Sequence, residues 1–213
     1  MPQLMDMQTV IGGVRASAPE PLPFAPTLDI RAFLLERDAG NIVIYTTRGL
    51  ELDAAQVDRQ YLNHRHEASF AAASLDAPLF VHEAERDSVS RRTRVRGTFS
   101  RRHVFGDDLE VIPTPGHTPG ATAFLWDSGE HRALFTGDTI YLDQGEWVAA
   151  VLEGSSDRAA YIASLELIRE LDFDVLVPWA AGHHDPFYAV TSRASAQRRI
   201  DAIIARLRRG ENR

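Results

Sequence analysis

No cysteine occurs among the 213 residues. That absence excludes a disulfide framework, thiolate metal ligands and a cysteine nucleophile together. Long apolar runs are missing as well, and no segment approaches the roughly 20 apolar residues that a membrane-spanning helix needs. The opening "MPQLMDMQTV" has no basic stretch leading into an apolar one, so no secretory signal is expected there. Positive charge is in deficit: 23 Lys and Arg against 30 Asp and Glu leave a net charge of -7. This disfavours nonspecific binding to nucleic acid. No serine sits in a nucleophile-elbow pattern. These absences together leave a cytoplasmic protein with no nucleic acid or membrane partner as the expectation.

What is present is enough apolar material, 44% of residues, to build a core without metal or disulfide staples. The length suits one domain spanning residues 1–213. Within it, residues 1–27 read as an extended N-terminal strand followed by the proline-rich connector "SAPEPLPFAPT". "AFLLER" and "NIVIYTT" read as strands about a turn, and "LDAAQVDRQ" has helical spacing. A short strand-like lead into Asn63 follows. "APLFVHE" reads as a strand and "EAERDSVSRR" as a short polar helix. "DLEVIPTP", "ATAFLWD" and "RALFTGD" form a series of strands joined by glycine-containing turns. Tyr161, Leu165, Ile168 and Leu171 then mark one face of a helix capped by Ser156 or Asp157. "FDVLVPW" is an apolar strand. The last helix, residues 192–209, turns Ala196, Ile200, Ile203 and Leu207 inward and ends before Gly210. Its arginines read as a solvated face. The sum is a layered α/β protein.

Chemistry-bearing residues gather at predicted strand ends. "YLNHRHEASF" carries His64 and His66, a pair that proves little alone. "VIPTPGHTPGATAFL" places His117 in a Pro/Gly-rich loop between two strands, and "ALFTGDTIY" places Asp138 directly after another. Loops held by a rigid sheet are where ligands can converge. Three imidazoles and a carboxylate suit a divalent zinc or iron ion.

At these residues the sequence resembles the metallo-β-lactamase-fold superfamily, in the style of its glyoxalase II-like hydrolases. The most specific pieces are "PTPGHTPGATAFL" and "LFTGDTIY", in that order after His-X-His. The resemblance implies an αββα four-layer sandwich with metal at one edge of its two sheets. It assigns His64, His66 and His117 to a first metal and Asp138 to a bridging position. The family's second metal takes the last two residues of His-X-His-X-Asp-His and a final histidine. Those positions here hold Ala68, Ser69 and, by alignment of "VPWAA", Ala180. One half-site is therefore whole and the other is absent. Tyr45 is a further departure, standing where the family usually has an aspartate.

The expected activity is hydrolysis of a small ester or thioester, with one zinc ion activating water. Glu67 is a candidate replacement ligand or general base, or else a carboxylate favoured at a helix start. His183, His184 and Asp185, in "AGHHDPF", are candidates for a compensating ligand or a substrate contact. The alternatives are a mononuclear iron dioxygenase of the persulfide-dioxygenase type and a noncatalytic binding protein on the same fold.

Overall fold

A computed structural model describes residues 7–53, 56–73 and 75–213. The strands in chain order are β1 (Gln8–Ile11), β2 (Val14–Ala16), β3 (Glu20–Leu22), β4 (Ala25–Ile30), β5 (Phe33–Leu35), β6 (Ile42–Ile44), β7 (Arg59–Tyr61), β8 (Leu79–His82) and β9 (Gly97–Phe99). They continue with β10 (His103–Phe105), β11 (Leu109–Pro113), β12 (Thr122–Asp127), β13 (Arg132–Gly137), β14 (Tyr141–Asp143), β15 (Glu146–Val148), β16 (Val175–Pro178), β17 (Ala180–Gly182) and β18 (Ala189–Val190). The α-helices are α1 (Arg86–Ser90), α2 (Arg158–Glu170) and α3 (Arg193–Arg208).

Two large sheets face each other. One has the order β1-β2-β5-β6-β7-β8-β9 and the other β10-β11-β12-β13-β16-β18. A smaller sheet, β15-β14-β17-β4-β3, accompanies them. Alternation along the strands explains the layering. Phe33, Leu35, Ile42 and Ile44 of the first sheet share a buried cluster with Val111, Phe124, Phe135 and Val177 of the second. The intervening residues of the second sheet, including Ala123, Leu125, Leu134 and Leu176, pack outward against α2 and α3. On the other outer face, Leu62, Leu79 and Val81 meet Val89 of α1. This is the αββα arrangement, with a thinner helical layer over the first sheet.

The two long helices follow their sequence signals. Asp157 accepts from Ala160 N at the start of α2, and Ser192 accepts from Ser195 N at the start of α3. Tyr161, Leu165 and Ile168 are fully buried, as are Ile200, Ile203 and Leu207.

Two local expectations are corrected. The predicted helix "LDAAQVDRQ" includes positions 54 and 55, which lie outside the described residues, and its last two residues begin β7. Pairing of Gln60 and Tyr61 with β6 and β8 outweighs helical composition there. The proline-rich connector is partly sheet, forming β3 and β4, while the call on residues 1–6 lies outside the described residues. Pro21 is tolerated because β3 is an edge strand, where a missing N–H costs no ladder bond. Among the described residues no helix is long and apolar enough to cross a membrane.

Candidate metal centre

The first sheet runs parallel from β6 to β9, and β13 pairs parallel with β16 in the second. The carboxyl ends of β7 and β13 deliver Asn63–His64 and Asp138, and the loop from β11 to β12 delivers His117. Ring centroids lie 4.9 Å apart for His64 and His66, 4.6 Å for His64 and His117, and 5.1 Å for His66 and His117. One nitrogen from each ring falls within 4.8 Å of the others, the only group of this kind among the described residues. Asp138 Oδ2 stands 3.4 Å from His64 Nε2 and 3.6 Å from His117 Nε2.

Hydrogen bonds behind the rings decide which nitrogens face inward. His117 Nδ1 lies 2.6 Å from the Ala150 carbonyl, which can only accept, so Nδ1 carries the proton and Nε2 the lone pair. His64 Nδ1 lies 2.9 Å from Asn63 Oδ1 and 3.0 Å from Glu67 Oε1, both acceptors. Its Nε2 is buried and has no hydrogen-bond partner. His66 Nδ1 lies 3.0 Å from His117 Nε2. An orphaned buried nitrogen converging with two more ring nitrogens, with a carboxylate beside them, fits one divalent cation.

The electrostatics agree. Burial, aided by the charge on His64, pushes His66 down to about 3 and His117 down to about 4, so both rings stay neutral. Burial also opposes charge on His64, but Asp138 and Glu67 outweigh it and raise that ring to about 10. For Asp138, burial is outweighed by the histidines, which hold it below the usual carboxylate range. The pair of carboxylates thus favours one positive charge at this spot.

Glu67 is fully buried behind His64 and is absent from the walls of the cleft. Its Oε1 accepts from the amides of Asn63 and His64 at 2.9 and 3.1 Å. There it caps the 3-10 turn Arg65–Phe70, as a helix-start carboxylate would, and it also orients the His64 ring. We expect Glu67→Gln to leave the pH profile of turnover in place while weakening metal binding about 10–100-fold, as for other partners behind a ligand. Metal titration of the variant beside its pH–rate profile checks this; loss of turnover at full metal occupancy would restore the base.

His183, His184 and Asp185 are not brought into the histidine group. His183 Nδ1 pairs with Asp29 Oδ2 at 2.9 Å. Asp185 accepts from the amides of Gln144 and Gly145 at 2.6 and 3.0 Å. These residues line a separate pocket with Pro26 and Asp143. Of the three positions lacking second-metal ligands, Ser69 and Ala180 line the cleft over the histidines. Ala68 is buried against the cluster of Leu62, Leu79 and Val89. Tyr45 is buried at φ 67, a rare conformation for a bulky residue. Its hydroxyl donates to the Val177 carbonyl at 2.8 Å and accepts from Gly137 N at 2.7 Å, next to Asp138.

Several supporting residues carried no signal of their own in the sequence. The Asn63 side-chain amide donates to the carbonyls of Thr122 and Thr136, tying the first sheet to the second. A Cβ on Gly137, which has φ 55, would collide with that side chain. Glu85 is 1% exposed and joins both histidine loops. It accepts from Gly120 N at 2.7 Å and pairs with Arg65 at 2.9 Å, between His64 and His66. Gly120 has to be small, since a Cβ would sit 2.6 Å from Glu85 Cγ. Glu85→Ala should cost about 2 kcal/mol by leaving a buried amide unpaired. Thermal unfolding measures that loss, and an unchanged midpoint would contradict it.

Comparison with known proteins supports the same family. The metallo-β-lactamase superfamily model matches residues 50–180. A metallo-β-lactamase from Pontibacter korlensis superposes with a TM-score of 0.67 at 16% identity, covering 95% of this chain and 98% of its own. One from Hirschia baltica gives 0.65 at 12% identity, covering 93% and 96%. AbOPH, described as a hydrolase in the β-lactamase superfamily, gives 0.62 at 15% identity, covering 92% and 96%. At such identities the likeness shows the fold alone. A search of curated proteins finds no match. Because the family model spans more than half of the 213 residues, the chain belongs to the metallo-β-lactamase superfamily.

Proposed function

We propose that the protein is a mononuclear metal-dependent hydrolase acting on a small ester or thioester. The observation that carries this reading is the convergence of His64 Nε2, His66 Nδ1 and His117 Nε2 beside Asp138, with Ser69 and Ala180 on the cleft wall and Ala68 buried nearby. His64, His66, His117 and Asp138 would hold one zinc ion, with iron as the alternative. A divalent ion in this setting lowers the pKa of water and polarises a carbonyl oxygen.

The remaining work falls to the chain's own groups. Glu67 and the Ala150 carbonyl fix the outward protons of His64 and His117, so His117 presents a lone pair inward and His64 would do so once a cation takes the place of its inward proton. Trp179 stacks edge-on against His64 at 5.6 Å and Phe70 at 5.5 Å, closing one side to water. The cleft above measures about 580 Å³, in the range of small-molecule sites. The fold likeness to a protein described as a hydrolase supports the reading.

The test is turnover of simple esters and thioesters by zinc-loaded protein. Hydrolysis by zinc-loaded protein, abolished by a chelator and restored by zinc, is expected. Failure on every ester and thioester, together with oxygen consumption by Fe(II)-loaded protein on a sulfur substrate, would replace it with the dioxygenase.

A further inference from the structure

Resting on the hydrolase reading, we infer that the substrate carries an uncharged, apolar acyl chain, gripped by the β3–β4 hairpin, and that Glu20 excludes anionic substrates by masking Arg48. The walls of the cleft away from the histidines are apolar. Leu22, Phe24 and Leu28 come from the hairpin, while Phe70 and Leu152 face them from elsewhere in the chain. Phe24 is 75% exposed and Leu152 is 40% exposed, so two large apolar side chains stand at the mouth uncovered. Scattered exposed apolar residues need no explanation, but two on the rim of one apolar cleft mark a ligand site.

The charge pattern narrows the ligand. Among the described residues lining the cleft, Arg48 is the one lysine or arginine. It is already engaged. Glu20 accepts from Arg48 Nη1 at 2.9 Å and from the Arg48 backbone amide at 2.7 Å. The guanidinium also stacks on Phe70, 4.5 Å from the ring centroid. A substrate carboxylate would meet a guanidinium whose charge Glu20 already offsets and would stand close to that carboxylate, whereas an alkyl chain gains by covering Phe24 and Leu152. Each buried methylene contributes about 0.8 kcal/mol, or about fourfold in binding.

The experiment compares zinc-loaded wild type, Phe24→Ala and Glu20→Gln on 4-nitrophenyl esters from acetyl to octanoyl and on the adipoyl monoester. Calorimetry of N-methylacetamide and N-methyloctanamide binding runs in parallel, which reads the cleft without catalysis. For wild type, kcat/KM should climb about fourfold per methylene over the first few, with octanamide bound and acetamide not. Phe24→Ala should lower the octanoyl kcat/KM and octanamide affinity about tenfold and flatten the rise of kcat/KM with chain length. Glu20→Gln, which frees Arg48, should raise adipoyl turnover relative to hexanoyl about tenfold. A flat chain-length series for wild type, unchanged octanamide binding by Phe24→Ala, or a wild-type preference for the adipoyl ester would each overturn the proposal. If no ester is hydrolysed but octanamide still binds through Phe24, the hydrolase reading fails and the apolar-chain site stands.

Discussion

His117→Ala should purify with less than about a tenth of the wild-type metal yet keep its fold. The ring supplies an inward lone pair whose direction is set by the Ala150 carbonyl, and alanine offers no donor in its place. Folding should not depend on this residue, because His117 belongs to neither the buried cluster between the sheets nor the one under α2 and α3. The structural loss is two hydrogen bonds, to the Ala150 carbonyl and to His66, about 1 kcal/mol each, or several degrees in melting temperature for a chain of this size. Elemental analysis and thermal unfolding of metal-free wild type and variant check both halves. Unchanged metal content would remove His117 from the ligand set, and global unfolding would make the loop structural.

Asp138→Asn should be nearly as damaging to turnover. The substitution keeps the side chain's size and removes the charge that stands 3.4 Å from His64 Nε2 and 3.6 Å from His117 Nε2. Partners behind a ligand typically cost 10–100-fold, so losing the carboxylate that faces the cation should cost about 100-fold or more in kcat/KM. The same variant should bind zinc more weakly, which a competition titration measures. Wild-type turnover with asparagine at 138 would show that the three imidazoles suffice.

Much of this architecture could be read from residue order. The strand-end placement of His64, His117 and Asp138 and the inward faces of α2 and α3 follow local rules of periodicity, capping and turn chemistry. The supports could not be read that way. Glu85 meets Gly120 across 35 positions, and Asn63 meets Thr136 across 73, contacts that only the stacked sheets create. Glu67 could be placed at a turn start but its direction could not, since that is set by the Asn63 and His64 amides to which its carboxylate turns back. The sequence around β3 misled for a related reason: prolines discourage strands in general, and only the edge position of β3 makes Pro21 harmless. "LDAAQVDRQ" shows the same limit, because helical composition yields when neighbouring strands offer Gln60 and Tyr61 a parallel ladder.

We propose a site for one metal, built by His64, His66, His117 and Asp138. Zinc titration of metal-free protein, read by calorimetry and by elemental analysis after gel filtration, tests it most directly. One tightly held zinc per chain in the wild type, falling to none in His117→Ala, is the predicted result; two tightly held ions per chain, or none, would contradict it.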